Sequence, residues 1–148
     1  MFRKVMWATD GSDAADRALP LAKALAADGG GELLVAHCEE LTMPGKTGGS
    51  FPVHADEGEL KVKIERQVAE LSEEGVSASV QMMRSRVGGA AHAIADAARE
   101  GGAEVIVVGT RGHTALAGLL LGSVTQRLLH ISPCPVLAVP TAGPEARG

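Results

Sequence analysis

The segment from Gly109 to Ser123 carries the residue types best suited to binding an anion. Gly109-Thr110-Arg111-Gly112, nine residues and then Gly122-Ser123 spell the pattern G-x2-G-x9-G-[ST]. Without Cβ atoms, Gly109 and Gly112 let the main chain turn tightly at a strand end and come close to a phosphate. Gly122 and Ser123 open a helix, whose first N–H groups and positive dipole end attract anions, and the Ser123 hydroxyl adds a donor. Singly, each of these glycines is better read as the cap of an ordinary strand or helix. At this spacing, between a buried strand and a helix, they predict a phosphate cradle. Arg111 either meets a phosphate or is solvated. His113 falls in the same segment, and Leu116 with Leu119-Leu120-Leu121 reads as an apolar lid.

Asp10 is the second chemically loaded position, directly after the strand-like run Val5 to Thr9. An Asp at a strand end either caps the turn below it or points toward a ligand. Asp13 is expected to cap the following helix, which leaves Asp10 for a nucleotide or its metal. Other signals fall away. Gly45-Lys46-Thr47 has Glu40 where a P-loop requires glycine, and neither G-x-G-x-x-G nor Gly-x-Ser-x-Gly occurs. The histidines, His37 among them, lack metal-ligand spacing and read as surface or packing residues.

These residues need strands and helices to place them. Val5 to Thr9 predicts a buried strand, and Ala15, Ala18, Ala22 and Leu25 predict a helix from Asp13 to the glycines at 29–31, with a kink at Pro20. Leu33 to Cys38 predicts the second strand, with Cys38 at its end. Glu39 to Ala55 lacks periodicity and predicts a mobile connection. Leu60, Ile64, Val68 and Leu71 mark the second helix, with Lys61, Lys63, Glu65 and Arg66 on its wet face. Val76 to Met83, Ala90 to Glu100, Val105 to Val108, Ser123 to Ile131 and Pro135 to Val139 then alternate as strand and helix. Residues 141–148 read as a disordered tail. Alternating elements with apolar central strands predict a parallel sheet covered on both faces, with ligands at the carboxyl ends of the strands.

The 148 residues, 45% hydrophobic and 22% charged, suit one domain, residues 1–140. A net charge of −4 without basic runs argues against nucleic-acid binding. No apolar stretch is long enough to span a membrane, and Met1 to Val5 leaves no room for a signal peptide before Asp10. The two cysteines, Cys38 and Cys134, belong to opposite sides of the expected sheet and read as reduced thiols, so the expected location is cytoplasmic.

The chain closely resembles the universal stress protein family, in particular its ATP-binding branch. The resemblance rests on the strand ending in Asp10-Gly11-Ser12, the Val35-Ala36-His37 strand end, and the run from Val105 to Gly112. It also rests on Gly122-Ser123-Val124-Thr125 and on Ser132-Pro133-Cys134-Pro135-Val136. It implies an adenine nucleotide alpha hydrolase-like α/β fold: an open five-stranded parallel sheet of order 3-2-1-4-5 with helices on both faces. ATP or another adenine nucleotide, with Mg²⁺, would sit at the junction of strands one and four. Ala8, Thr9 and Asp10 would line the site from strand one, with Asp10 toward ribose or the Mg²⁺-bound phosphates. Main chain at Cys38 would recognise adenine. Gly109, Arg111, Gly112, Gly122, Ser123, Val124 and Thr125 would surround the phosphates. Ala8 and Cys38 depart from the family's usual Pro and Val or Ile. A homodimer through strand five, Val136 to Val139, is also implied. The function expected is a regulatory or stress-response module with little or no turnover. The alternatives are a slow ATP hydrolase or adenylating enzyme, whose S-G-G-x-D-S loop is missing, and a nucleotide-free interaction protein.

Overall fold

Short apolar strands separated by alanine-rich helices give the chain its layers. The computed structural model describes residues 2–41, 57–110 and 122–140. Strand β1 (Lys4–Ala8) leads to helix α1 (Asp13–Asp28), β2 (Glu32–Leu41), α2 (Glu57–Glu73) and β3 (Ser77–Arg86). The chain continues through α3 (Ala90–Gly101), β4 (Val105–Gly109), α4 (Ser123–Ile131) and β5 (Val136–Val139). All strands are parallel in one sheet of order β3-β2-β1-β4-β5, as expected.

Period-two alternation sorts the strand side chains onto two faces. Val5, Trp7, Val35 and Val107 pack under α1 and α2, while Met6, Ala8, Ala36 and Ile106 pack under α3 and α4. Ala15, Ala18, Ala22 and Ala26 line one face of α1 and are all buried, so the helix settles close to the sheet with almost no side-chain entropy lost. Ile64 of α2 and Leu128 of α4 are fully buried, each contributing about 1.5–3 kcal/mol of apolar burial. Trp7 is also fully buried, and its Nε1–H donates to the Ala15 carbonyl at 2.9 Å, which satisfies the one polar atom of the ring.

Several boundaries differ from the sequence reading. β1 lies one residue earlier than expected, although the Thr9 N–H still donates to the Ala36 carbonyl at 2.9 Å. β2 runs on through Glu39, Glu40 and Leu41, so Cys38 lies inside the strand rather than at its end. Its partner β3 extends to Arg86, in register from Glu32↔Ser77 to Leu41↔Arg86. The extra length is polar and pairs across the strands, with Arg84 Nε 3.2 Å from Glu39 Oε2, a pattern that single-strand periodicity does not register. Pro20, where a kink was expected, does not divide α1: one helix runs from Asp13 to Asp28 with Pro20 on its exposed side. The expected mobile connection lies outside the described residues from 42 to 56, as does the tail at 141–148.

Candidate functional site

The chain leaves β1 toward β2 and β3 on one side and later enters β4 and β5 on the other, so the strand order reverses between β1 and β4. Val5↔Val105, Met6↔Ile106 and Trp7↔Val107 are in register, which brings the residues after Ala8 and after Val108 out side by side. A crevice at that point is where open parallel sheets take their ligands.

On the β1 side the turn is heavily hydrogen-bonded. Thr9 Oγ1 accepts the Gly11 N–H at 3.0 Å, Asp10 Oδ1 accepts the Ser12 N–H at 2.9 Å, and Ser12 Oγ accepts the Ala15 N–H at 3.2 Å. Ser12, not Asp13, is therefore the N-cap of α1. A serine in extended conformation reaches the third N–H directly, whereas Asp13 is already helical and adds only a favourable charge in the first turn. Asp10 accordingly does part of the turn capping expected of Asp13. Gly11 takes φ +79°, and a Cβ there would run into Leu60 of α2.

On the β4 side, Gly109 has a different reason for being glycine from the one its motif suggests. A Cβ at Gly109 would stand 2.6 Å from the Ala14 carbonyl oxygen, so the missing side chain is required by the first turn of α1. The Gly109 carbonyl accepts the Thr125 Oγ1 hydroxyl at 2.9 Å. The Thr110 N–H donates to the Val139 carbonyl, and the Gly122 N–H donates to the Thr110 carbonyl at 2.6 Å. Gly122 is the N-cap of α4, with extended backbone at φ −71°, ψ 162° and no side chain to cap the helix. The Ser123, Val124 and Thr125 N–H groups thus begin a helix without intrahelical acceptors, beside the end of β4. Ser123 is exposed, Val124 half-buried and Thr125 buried. Arg111 and Gly112 of the motif lie outside the described residues, as do His113 and the leucine-rich lid.

Cys38 approaches from β2. The Ala36 carbonyl faces β1, so the main-chain groups two residues on, at Cys38, face the same edge past the point where β1 has left the sheet. Its side chain turns toward the α3 face, with Sγ 3.3 Å from Ser85 Oγ. Burial pushes the Cys38 thiol above its ordinary range, with the Ser85 hydrogen bond opposing and Glu40, Glu57 and Glu39 adding to the rise. Cys134 is raised as well, by burial against its Ser132 contact. Both thiols are free. Ala8 is buried in the core on that same face.

Among the described residues no three His, Cys, Asp or Glu side chains are grouped as a metal would need. Two residues important to the site's geometry were not given that part by sequence. His37 is buried between the Thr9 carbonyl and the Glu57 carboxylate. Lys63, expected on a wet face, reaches the Gly11 carbonyl at 2.9 Å and Asp16 Oδ2 at 2.7 Å. Only the position of His37 on the α1 and α2 face of β2, set by alternation with Val35, hinted at this.

The profile of the universal stress protein family matches residues 1–140. The chain belongs to this family. A universal stress protein of Thermus aquaticus, from the QAH/OAS sulfhydrylase 3′ region, is 39% identical over 141 residues, covering 94% of this chain and 99% of that protein. The crystal structure of a universal stress protein in complex with cAMP is 25% identical, with TM-score 0.68 over 95% of this chain and 98% of that one. The Archaeoglobus fulgidus universal stress protein in complex with dAMP is 25% identical, with TM-score 0.63 over 94% and 98%. Among the described residues, no helix of this universal stress protein is long and apolar enough to cross a membrane.

Proposed function

We propose that this universal stress protein binds an adenine nucleotide, ATP with Mg²⁺ in the first instance, at the reversal between β1 and β4. The observation that carries the reading is the start of α4. Gly122 leaves its first N–H groups without a side-chain cap, while Thr125 and Gly122 tie that helix end to Gly109 and Thr110. Such an end attracts phosphate through both its donors and its dipole. Main chain at Cys38, facing the edge that β1 vacates, supplies hydrogen-bonding groups for a base. Asp10 would share a Mg²⁺ with phosphate oxygens, since a metal here needs ligands beyond one carboxylate. Arg111 and Gly112 complete the cradle in this reading. The cAMP and dAMP complexes of the two similar structures support an adenine nucleotide as the ligand class.

The proposed role is binding with little or no turnover, as part of a cytoplasmic regulatory module of residues 1–140, acting as a homodimer through β5 without nucleic acid. Fast phosphoryl transfer needs an aligned water, a base and bridging metals. Asp10 already holds the turn, and Ser123 is a donor rather than a base. Calorimetry with Mg-ATP, together with steady-state phosphate release, tests the reading. One site per chain and turnover far below the roughly 1–10³ s⁻¹ of typical enzymes are expected. No binding by ATP, ADP, AMP or cAMP would remove it, and turnover of several per second would make the protein an enzyme.

A further inference from the structure

His37 is 2% exposed, yet both of its ring nitrogens are engaged. Nδ1 lies 2.8 Å from the Thr9 carbonyl oxygen, and Nε2 lies 3.1 Å and 3.4 Å from the two Glu57 carboxylate oxygens. Thr9 is the residue before Asp10, and Glu57 is the first residue of α2. The same two elements meet twice more, through Lys63 to Gly11 and Asp16, and through Leu60, which fills the space over Gly11. The first turns of α2 therefore rest on the turn that follows β1, with the buried histidine at the centre of the contact.

Both partners of the ring are acceptors when Glu57 is ionised. A carbonyl only accepts, so Nδ1 carries hydrogen; an ionised carboxylate only accepts, so Nε2 carries hydrogen too. The contact is satisfied by an imidazolium facing a carboxylate. On the surrounding elements, Asp10 accepts from Ser12, Asp16 accepts from Lys63 and Gln67, and Glu39 pairs with Arg84. Cys38 turns to the opposite face toward Ser85. Met82, the register partner of His37 on β3, is uncharged, and Glu59 is exposed on α2.

We propose that His37 is a positioning residue: its doubly protonated ring fastens the turn after β1 to the first turn of α2, so that the shape of the nucleotide site depends on that proton. The effect on nucleotide rests on the proposed function; the fastening itself does not. The Nε2 to Glu57 bond is present while the pair keeps its proton and is lost as pH rises, leaving the Nδ1 to Thr9 bond in place. A glutamine at 57 would still reach the ring, donating its amide N–H to a neutral Nε2, and would remove the need for the proton.

Nitrogen-15 NMR of histidine-labelled, nucleotide-free protein reads the ring directly, and amide exchange of Lys61, Val62 and Lys63 reads the first turn of α2. Wild type should show both His37 nitrogens protonated at about pH 6, with protection of those amides that falls severalfold by about pH 9. Glu57→Gln should show a singly protonated ring and protection that no longer changes, whereas Glu57→Ala should lack that protection at both values. Mg-ATP affinity should fall severalfold in Glu57→Ala and return in Glu57→Gln. A singly protonated His37 in wild type at about pH 6, or an undiminished pH response in Glu57→Gln, overturns the fastening. Unchanged affinity in Glu57→Ala overturns its coupling to the site. Should wild type bind no nucleotide, the proposed function falls, and the NMR and exchange results still decide the fastening.

Discussion

The Thr125 hydroxyl donates to the Gly109 carbonyl oxygen at 2.9 Å, joining the first turn of α4 to the last residue of β4. Thr125 is 5% exposed, so neither group has water as a substitute partner. Thr125→Val keeps the volume and removes the donor. It should lower stability by about 1 kcal/mol, the usual net value of one buried hydrogen bond. A thermal melt should show a fall of roughly 2–4 °C for a chain of this size. An unchanged melting temperature would show that the bond does not anchor α4.

Gly109→Ala tests the packing reason for that glycine. The new methyl group would stand 2.6 Å from the Ala14 carbonyl oxygen and 3.1 Å from the Ala15 nitrogen, main-chain atoms that cannot rotate away. Moving β4 and α1 apart should cost about 1–3 kcal/mol, measurable as a lowered urea midpoint. A midpoint equal to wild type would mean that the strand end yields easily.

Gly122→Val isolates the phosphate cradle from the fold. Gly122 has an extended backbone and no positive φ, so valine can occupy the position without backbone strain. Its side chain would crowd the N–H groups that open α4. Mg-ATP affinity should drop by at least about tenfold, roughly 1.4 kcal/mol, with an unchanged circular dichroism spectrum. Equal affinity in the folded variant would remove α4 from the site.

Cys38 should react slowly with iodoacetamide at about pH 8, because only the thiolate attacks and burial disfavours it. The direction follows from the raised thiol: reaction should accelerate toward more alkaline pH than it does for an unfolded cysteine. Site-resolved mass spectrometry of native and urea-treated protein makes the comparison. Labelling of Cys38 at the urea-treated rate would contradict its half-buried placement against Ser85.

Leu137→Lys addresses the dimer. β5 has β4 on one side, no strand on the other among the described residues, and Leu137 38% exposed. An open apolar edge invites pairing, and a lysine there opposes it. Light scattering at micromolar concentration should give a dimer mass for wild type and a monomer mass for Leu137→Lys. A wild-type monomer would rule out the β5 pairing.

The sequence alone determined the order of elements, the parallel sheet and the motif that opens α4. These are written in local patterns: four-residue aliphatic runs such as Val105 to Val108, alanines at helical spacing in α1, and glycines where chains turn. It also placed Asp10 and Gly109 at neighbouring strand ends, because a right-handed parallel sheet leaves few other arrangements. Tertiary structure decided what these residues do. Gly109 is glycine because Ala14 lies against it, a contact across most of the chain that no spacing rule contains. The polar ends of β2 and β3 are strand because each finds the other in register, with Glu39 opposite Arg84. His37 gains its meaning from Thr9 and Glu57, 28 residues before it and 20 after it, which converge on one ring only when β1, β2 and α2 have packed. Hydrogen bonds and steric fit act over a few ångströms between residues far apart in sequence, whereas periodicity records only which face each residue turns inward.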